Sequence, residues 1–572
     1  GDSYEVDGYV GGPLGEQVAG ALSFQYSDRD YYLENTGSTP QGPGQIEELF
    51  LQGRLQWTPT DRLTIDALAY VIDTQAPGIY TFDGFPVDLD RYNAIYSDGA
   101  LFDPTDPFTL APFNGSDRAS DFRFVHDAPK RAEVTQIIAG ANATYATNAG
   151  VVDFALSYRT EDTDDRGFDI DGTNAPLLAG AEEEEEEVFN AEIRFTSDPV
   201  QSLRYSLGAS YYFEEDVRAL GSLIGPGSLN DFVFSPDQSV ASYDVGLFGS
   251  LSYTPSSWPN LTATFGLRYD RARRETTQEA GALDLGFAVF FFNDLELEET
   301  FDAFLPRFAL KYEPSDTVTL YGSAAKGYLP GGFNLTAADA GFEGDVTRYD
   351  SEELWSYELG ARWKSASGRA RLAGAVFYID AENYQEITAL LDEQGNVIST
   401  SLVASDAAIE NYGFELEGHW NISDLLTLTG NLGVTEAEYK EFSRLEASEV
   451  VGNPVKLIPE YDANIALRYQ NPSGFFVRGE VNFIGETPLD EGNRTGFTAN
   501  ALDTQEAVEM YGMQAGYETE LWSLRVFGEN LSDVRRVNGT GFPNAVLPFD
   551  GLLNASIDTP RTVGVEVTVR WN

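Results

Sequence analysis

Val563, Val565, Val567, Val569 and Trp571 alternate near the end of the chain with Thr562, Gly564, Glu566, Thr568 and Arg570. Successive side chains of a strand point to opposite faces, so this stretch reads as a strand with one apolar side and one polar side. Leu261, Ala263, Phe265, Leu267 and Tyr269 alternate in the same way with Thr262, Thr264, Gly266 and Arg268. Leu203, Tyr205, Leu207, Ala209, Tyr211 and Phe213 do so with Arg204, Ser206, Gly208 and Ser210. No long segment carries apolar residues at helical spacing, so no helical layer is at hand to cover these apolar faces. Lipid is the cover the pattern calls for. The expected fold is all-β, a transmembrane antiparallel β-barrel.

The candidate strands come in pairs. They are joined by turns with hairpin chemistry, such as Gly12-Pro-Leu-Gly-Glu16, Thr147-Asn-Ala-Gly150, Pro314-Ser-Asp-Thr317 and Asn471-Pro-Ser-Gly474. Longer polar stretches separate the pairs, among them roughly 73–130, 163–184, 274–297 and 389–407. About ten of each predict about 21 strands, with short turns on one rim and long loops on the other. An aromatic sits just before the turn proline in Trp57-Thr-Pro59, Tyr253-Thr-Pro255, Tyr312-Glu-Pro314 and Tyr469-Gln-Asn-Pro472, in the apolar phase of its strand. That is what an interfacial girdle requires, although aromatics also favour strands in general.

Composition narrows the function. At 572 residues the pattern runs end to end without a linker, and no apolar run approaches the ~18 residues of a spanning helix. The absence of cysteine removes disulfides and thiolate chemistry, and two histidines, His126 and His419, make a histidine-rich metal site an unfavoured reading. With 92 acids against 36 bases the net charge is −56, which repels nucleic acid. No cluster of nucleophile, base and orienting group stands out, so no enzyme and no cofactor are expected. The chain starts at Gly1 without a basic or apolar leader, which is read as a removed signal or a fragment.

Function is expected in the long loops. The largest carries Tyr80, Phe82, Phe85 and Tyr92 among other aromatics, and Tyr328 and Phe333 stand in another. These six are the candidate ligand-binding residues; a loop packed on its own rings is the plainer alternative. Asp162, Asp164, Asp165, Asp169 and Asp171, followed by the run Glu182 to Glu187, raise Ca²⁺ as a candidate, with Asp169 and Asp171 its nearest ligands. A solvated acidic loop is the alternative.

Several motifs together carry a likeness: Ala325-Lys-Gly-Tyr-Leu-Pro-Gly-Gly-Phe-Asn334, Phe265-Gly-Leu-Arg-Tyr-Asp270, Asn411-Tyr-Gly-Phe-Glu-Leu-Glu417, Ile458-Pro-Glu-Tyr461 and Glu529-Asn-Leu-Ser-Asp533. In this order the chain resembles the barrel portion of TonB-dependent outer-membrane receptors over nearly its whole length. The resemblance implies a barrel of about 22 strands. Residues 1–572 would be the barrel domain, entered at the second strand near Gly12-Pro13-Leu14, with the N-terminal plug and first strand missing. It further implies TonB-energised uptake of a scarce nutrient, most often a ferric siderophore, with the TonB complex acting through a plug. Outer-membrane lipid and lipopolysaccharide would surround the barrel, with long loops extracellular and short turns periplasmic. The last strand resembles the family's signal to the barrel assembly machinery, with Gly564, Val567, Val569 and Trp571 in place, but ends Trp571-Asn572. A passive pore and a structural or adhesive barrel are the rival readings.

Overall fold

The structure is a computed structural model. It describes residues 2–30, 45–76, 131–169, 178–198, 202–224, 230–284, 289–335, 347–391, 397–442, 450–489, 504–540 and 552–571, with the short pieces 34–35, 83–86 and 123–124 and residues 228 and 338. The wall opens with β1 (Ser3–Pro13), β2 (Val18–Asp30), β3 (Gln45–Thr60), β4 (Leu63–Ala76), β5 (Arg131–Ala146), β6 (Gly150–Asp169) and β7 (Leu178–Ser197). It continues through β8 (Leu203–Ile224), β9 (Gln238–Tyr253), β10 (Leu261–Gln278), β11 (Leu295–Ser315), β12 (Val318–Leu329), β13 (Glu352–Lys364) and β14 (Ala370–Leu391). It ends with β15 (Val397–Asn421), β16 (Leu426–Phe442), β17 (Tyr461–Gln470), β18 (Phe475–Ile484), β19 (Val508–Glu518), β20 (Trp522–Glu529) and β21 (Thr562–Val569).

All of these lie in one 22-stranded sheet, whose remaining member is the two-residue piece Val233–Phe234 against β8. Each wall strand pairs antiparallel with its neighbours in sequence, as β1 does with β2, β7 with β8 and β20 with β21. Among the described residues no pairing joins β1 to β21.

The turns stand where their chemistry places them. Asn471 accepts from the backbone N–H groups of Ser473 and Phe475 at 3.0 and 3.1 Å, closing the β17–β18 hairpin. Gly474 there has φ 101° and a Cβ would meet the Glu518 carbonyl, so only glycine fits.

The face in the apolar phase is bare. Leu207, Leu247, Leu310 and Leu359 are each more than half exposed, an arrangement that water would not tolerate over a whole sheet and a bilayer requires. Near the short turns Trp57, Tyr253, Tyr312 and Tyr469 form the expected ring, joined by Tyr145, Trp363, Trp420 and Trp522. No helix among the described residues is long and apolar enough to cross a membrane, which says nothing about strands.

The opposite phase lines the lumen with polar groups anchored to the wall. The Arg268 Nε donates to both Asp270 oxygens at 2.8 and 2.6 Å, and its guanidinium lies 5.5 Å above the Phe248 ring. In the terminal strand Gly564 faces Phe527 across the β20–β21 pair, and the ring occupies the space a Cβ would need. Val563, Val565, Val567 and Val569 point the other way, to the lipid side, and are all exposed.

One expectation is corrected. The stretches 163–184, 274–297 and 389–407 are largely strand: β6 runs 20 residues, β7 20 and β8 22, and the Glu182–Glu187 run lies inside β7 rather than in a loop. A membrane needs only about ten residues of each strand. Above that belt the outer face meets water instead of lipid, so the alternation disappears while the ladder bonds to neighbouring strands continue.

Candidate functional site

The wall splits beside Pro306. β11 and β12 pair from Ser315 with Val318 up to Arg307 with Ala325, and no pairing among the described residues continues above. Proline has no N–H to give to a ladder, so the break falls where the chemistry requires it. Beyond the break β11 stays with β10 and β12 with β13.

The segment after β12 folds into this seam. Gly332 and Phe333 pair with Tyr349 and Arg348. A Cβ on Gly331 would stand 2.2 Å from the Tyr349 carbonyl and 2.7 Å from the Phe301 ring, so the approach needs glycine. Asn334 then clasps β15 twice: its Nδ2 donates to the Val403 carbonyl at 2.8 Å and its Oδ1 accepts from the Val403 N–H at 2.9 Å. The Gln385 side chain donates to the Pro330 carbonyl at 2.9 Å and to that of Asp350 at 3.2 Å.

Aromatic and charged groups gather along this clasp. Arg348 lies 5.9 Å over the buried Phe301 ring and pairs with Glu299 at 3.2 Å. Arg274 of β10 pairs with Asp244 of β9, its Nη2 3.2 Å from Oδ2, on the lumenal phase. Tyr328 reaches the field of this pair, and its hydroxyl is buried with no hydrogen-bond partner among the described residues. Burial pushes the Tyr349 phenol up, opposed by Arg274. Burial also raises Glu352, which accepts from the Gln385 N–H at 3.0 Å.

Of the candidates read from the sequence, Tyr328 and Phe333 are thus brought to one place. Phe85 lies in Asp83–Pro86, opposite Leu553, with its backbone alone described. Tyr80, Phe82 and Tyr92 lie outside the described residues, as does Asp171, and Asp169 is the last residue of β6. Among the described residues no group of three or more acidic, histidine or cysteine side chains is arranged to hold a metal ion. On β6 to β8, Glu184 faces Asp216 and Glu182; burial and these carboxylates push it up to about 7, opposed by Arg218. Lower in the lumen, Arg362, Arg371, Glu415, His419, Asn431 and Asn464 border a polar cavity of about 1420 Å³.

The sequence profile described as TonB dependent receptor-like, beta-barrel matches residues 70–531. The chain belongs to the TonB-dependent receptor family. Members are outer-membrane β-barrels, and the relatives found are receptors. The pesticin receptor of Yersinia enterocolitica is 27% identical over 276 residues, covering 47% of this chain and 36% of that protein. The metal-pseudopaline receptor CntO of Pseudomonas aeruginosa is 24% identical over 250 residues, 43% of this chain and 32% of its own length. The chain therefore spans about a third of the length of those curated relatives. In fold it is similar to the ferric yersiniabactin uptake receptor of Yersinia pestis, with TM-score 0.74, 16% identity, 99% of this chain and 78% of that one. It is similar also to the ferripyoverdine receptor of P. aeruginosa, with TM-score 0.70, 16% identity, 99% of this chain and 70% of that one.

Sequence reasoning missed Pro306, Arg274, Asp244 and Asn334 as parts of one site. Asn334 stood out only as the end of a family motif, and Pro306 inside an alternating run was a further readable signal, since proline in a paired strand marks an edge or a break.

Proposed function

We propose that this receptor barrel captures a ferric siderophore or a similar scarce chelate at its outer mouth and passes it inward with energy supplied by TonB through a plug. Residues 1–572 would act as one barrel domain, with the short turns toward the periplasm and the long loops outside. The observation that carries the reading is the gathering of guanidinium and aromatic groups at the seam: Arg348 lies over the Phe301 ring and pairs with Glu299, and the Arg274–Asp244 pair acts electrostatically on Tyr328. Guanidinium groups set beside an aromatic ring suit a chelate with oxygen donors and a flat face. The metal-pseudopaline receptor among the relatives, and the ferric yersiniabactin and ferripyoverdine receptors among the similar structures, support the same class.

The test is iron uptake in a strain lacking the gene, complemented with the native gene or with Tyr328→Phe and Arg274→Gln versions. Uptake of labelled ferric siderophore restored by the native gene, lost on removal of TonB, and weakened in both variants is the expected result. Equal uptake with and without the gene across hydroxamate, catecholate and carboxylate chelates would overturn it. Open conductance of the complete receptor in a planar bilayer would favour the passive pore instead.

A further inference from the structure

Tyr439 belongs to the lumenal phase of β16, opposite Ile409, yet none of its surface is exposed. What covers it is the chain just before β17. Gly452 N–H donates to the Tyr439 carbonyl at 2.8 Å, Tyr439 N–H to Asn453 at 3.1 Å and Val455 N–H to Ala437 at 2.9 Å. This holds Val450 and Val455 on an apolar patch with Ala381, Ala407, Ala437 and Phe442. The segment then bulges: Leu457 takes a left-handed φ of 62°, uncommon for a branched residue, and its N–H is satisfied by Pro488 at 2.7 Å.

At the centre of the bulge sits an ion pair whose carboxylate is buried and whose lysine side chain is a quarter exposed. Lys456 Nζ is 2.6 Å from Glu386 Oε1, and the Tyr439 hydroxyl donates to Glu386 Oε2 at 2.8 Å. Glu386 is 6% exposed, so its charge is tolerated only because both oxygens are engaged. Glu386 follows Gln385, whose side chain holds the Pro330 and Asp350 carbonyls of the clasp. We infer that Lys456, Glu386 and Tyr439 form a latch that fixes the 450–458 bulge on the inner wall and, through Gln385, positions the Pro330–Asn334 clasp that frames the candidate ligand site. These are positioning residues: none of them needs to touch the ligand. Only the word ligand rests on the uptake reading; the mechanical link stands or falls without it.

Residues 1–572 contain no cysteine, so with any cysteine elsewhere in the receptor replaced by serine, single reporters can be placed cleanly. Val455→Cys reports the bulge, 1% exposed, and Leu335→Cys the clasp, 8% exposed, while Val451→Cys at 45% exposed is the reactive control. Each is placed in the complete receptor in cells and labelled with a membrane-impermeant maleimide, with retained heat-modifiable migration in gels showing that the barrel is folded. In the parent both reporters should label slowly, and with Lys456→Met both should label about tenfold faster as the latch opens. Lys456→Arg should restore slow labelling. If Lys456→Met prevents assembly, Tyr439→Phe removes one latch bond and gives the same readout in milder form. Unchanged rates on opening the latch, or fast labelling of Val455→Cys in the parent, would overturn the latch. Faster labelling at Val455→Cys alone, with Leu335→Cys unmoved, would overturn its link to the clasp. Loss of uptake plays no part in these outcomes.

Discussion

Two parts of the mouth, built from strands of similar length, are held by opposite physics. On β6 to β8 acids confront acids: Glu183 stands opposite Asp164, Glu185 opposite Asp162 and Glu187 opposite Glu215. Arginines relieve this locally, as Arg131 does at Asp164 at 2.8 Å and Arg218 at Glu182 at 3.8 Å. Where the segment before β17 meets β14 to β16, one ion pair with a buried carboxylate sits beside an apolar patch. The first arrangement leans on the solvent to dissipate like charge, so it should answer to salt and pH. The second shields its carboxylate from solvent, so it should respond less to salt. The lesson is that the wall above the bilayer has no single stabilising rule.

The comparison can be broken by substitutions whose effects span a wide range. The largest concerns the belt beneath both parts. Leu207→Arg should cost about 2–4 kcal/mol of unfolding free energy in lipid vesicles, whereas Glu187→Arg on the same outer face above the belt should be neutral or stabilising. Equal losses would mean that the apolar belt extends higher than the strands suggest. Next, Glu386→Ala should destabilise by about 1–3 kcal/mol, because the buried Tyr439 hydroxyl loses its acceptor, with little change in that loss between low and high salt in urea titrations. Glu185→Gln should act in the reverse sense, stabilising by about 0.2–1 kcal/mol, and that gain should shrink in molar salt.

The smallest effect is one of pH. Glu184 is held up at about 7 by burial and its neighbouring carboxylates, against 4.5 for an ordinary glutamate. The folded barrel therefore keeps this proton over a range in which the unfolded chain has lost it, so stability falls as pH rises from about 4.5 to 7 and levels off above. Glu184→Gln should flatten that part of the melting-temperature profile; an unchanged slope would place the titration elsewhere.

Much of the wall could be read from the chain because lipid writes a simple code. Leu261 to Tyr269 alternate since one side meets hydrocarbon, and the turn at Asn471 to Gly474 announces itself by residue type. The code stops where the lipid stops. Glu182 to Glu187 has no alternation, so it reads as a loop although its backbone is fully paired on both sides. The candidate site was half legible: Tyr328 and Phe333 drew notice as loop aromatics, and Gly331 to Asn334 as a family motif. Arg274, Asp244 and Val403 could not be tied to them, because their meeting depends on a break at Pro306 and on register across strands far apart in sequence.

The nearest-neighbour order of the wall bears on how such a chain reaches its folded state. Every stave finds its partner immediately before or after it, so each hairpin can zip onto the last without waiting for a distant segment, and contact order stays low despite the length. Excising one hairpin with its turn, such as β17 and β18, should therefore leave a shorter array whose other registers are intact, which makes this scaffold open to resizing by whole hairpins.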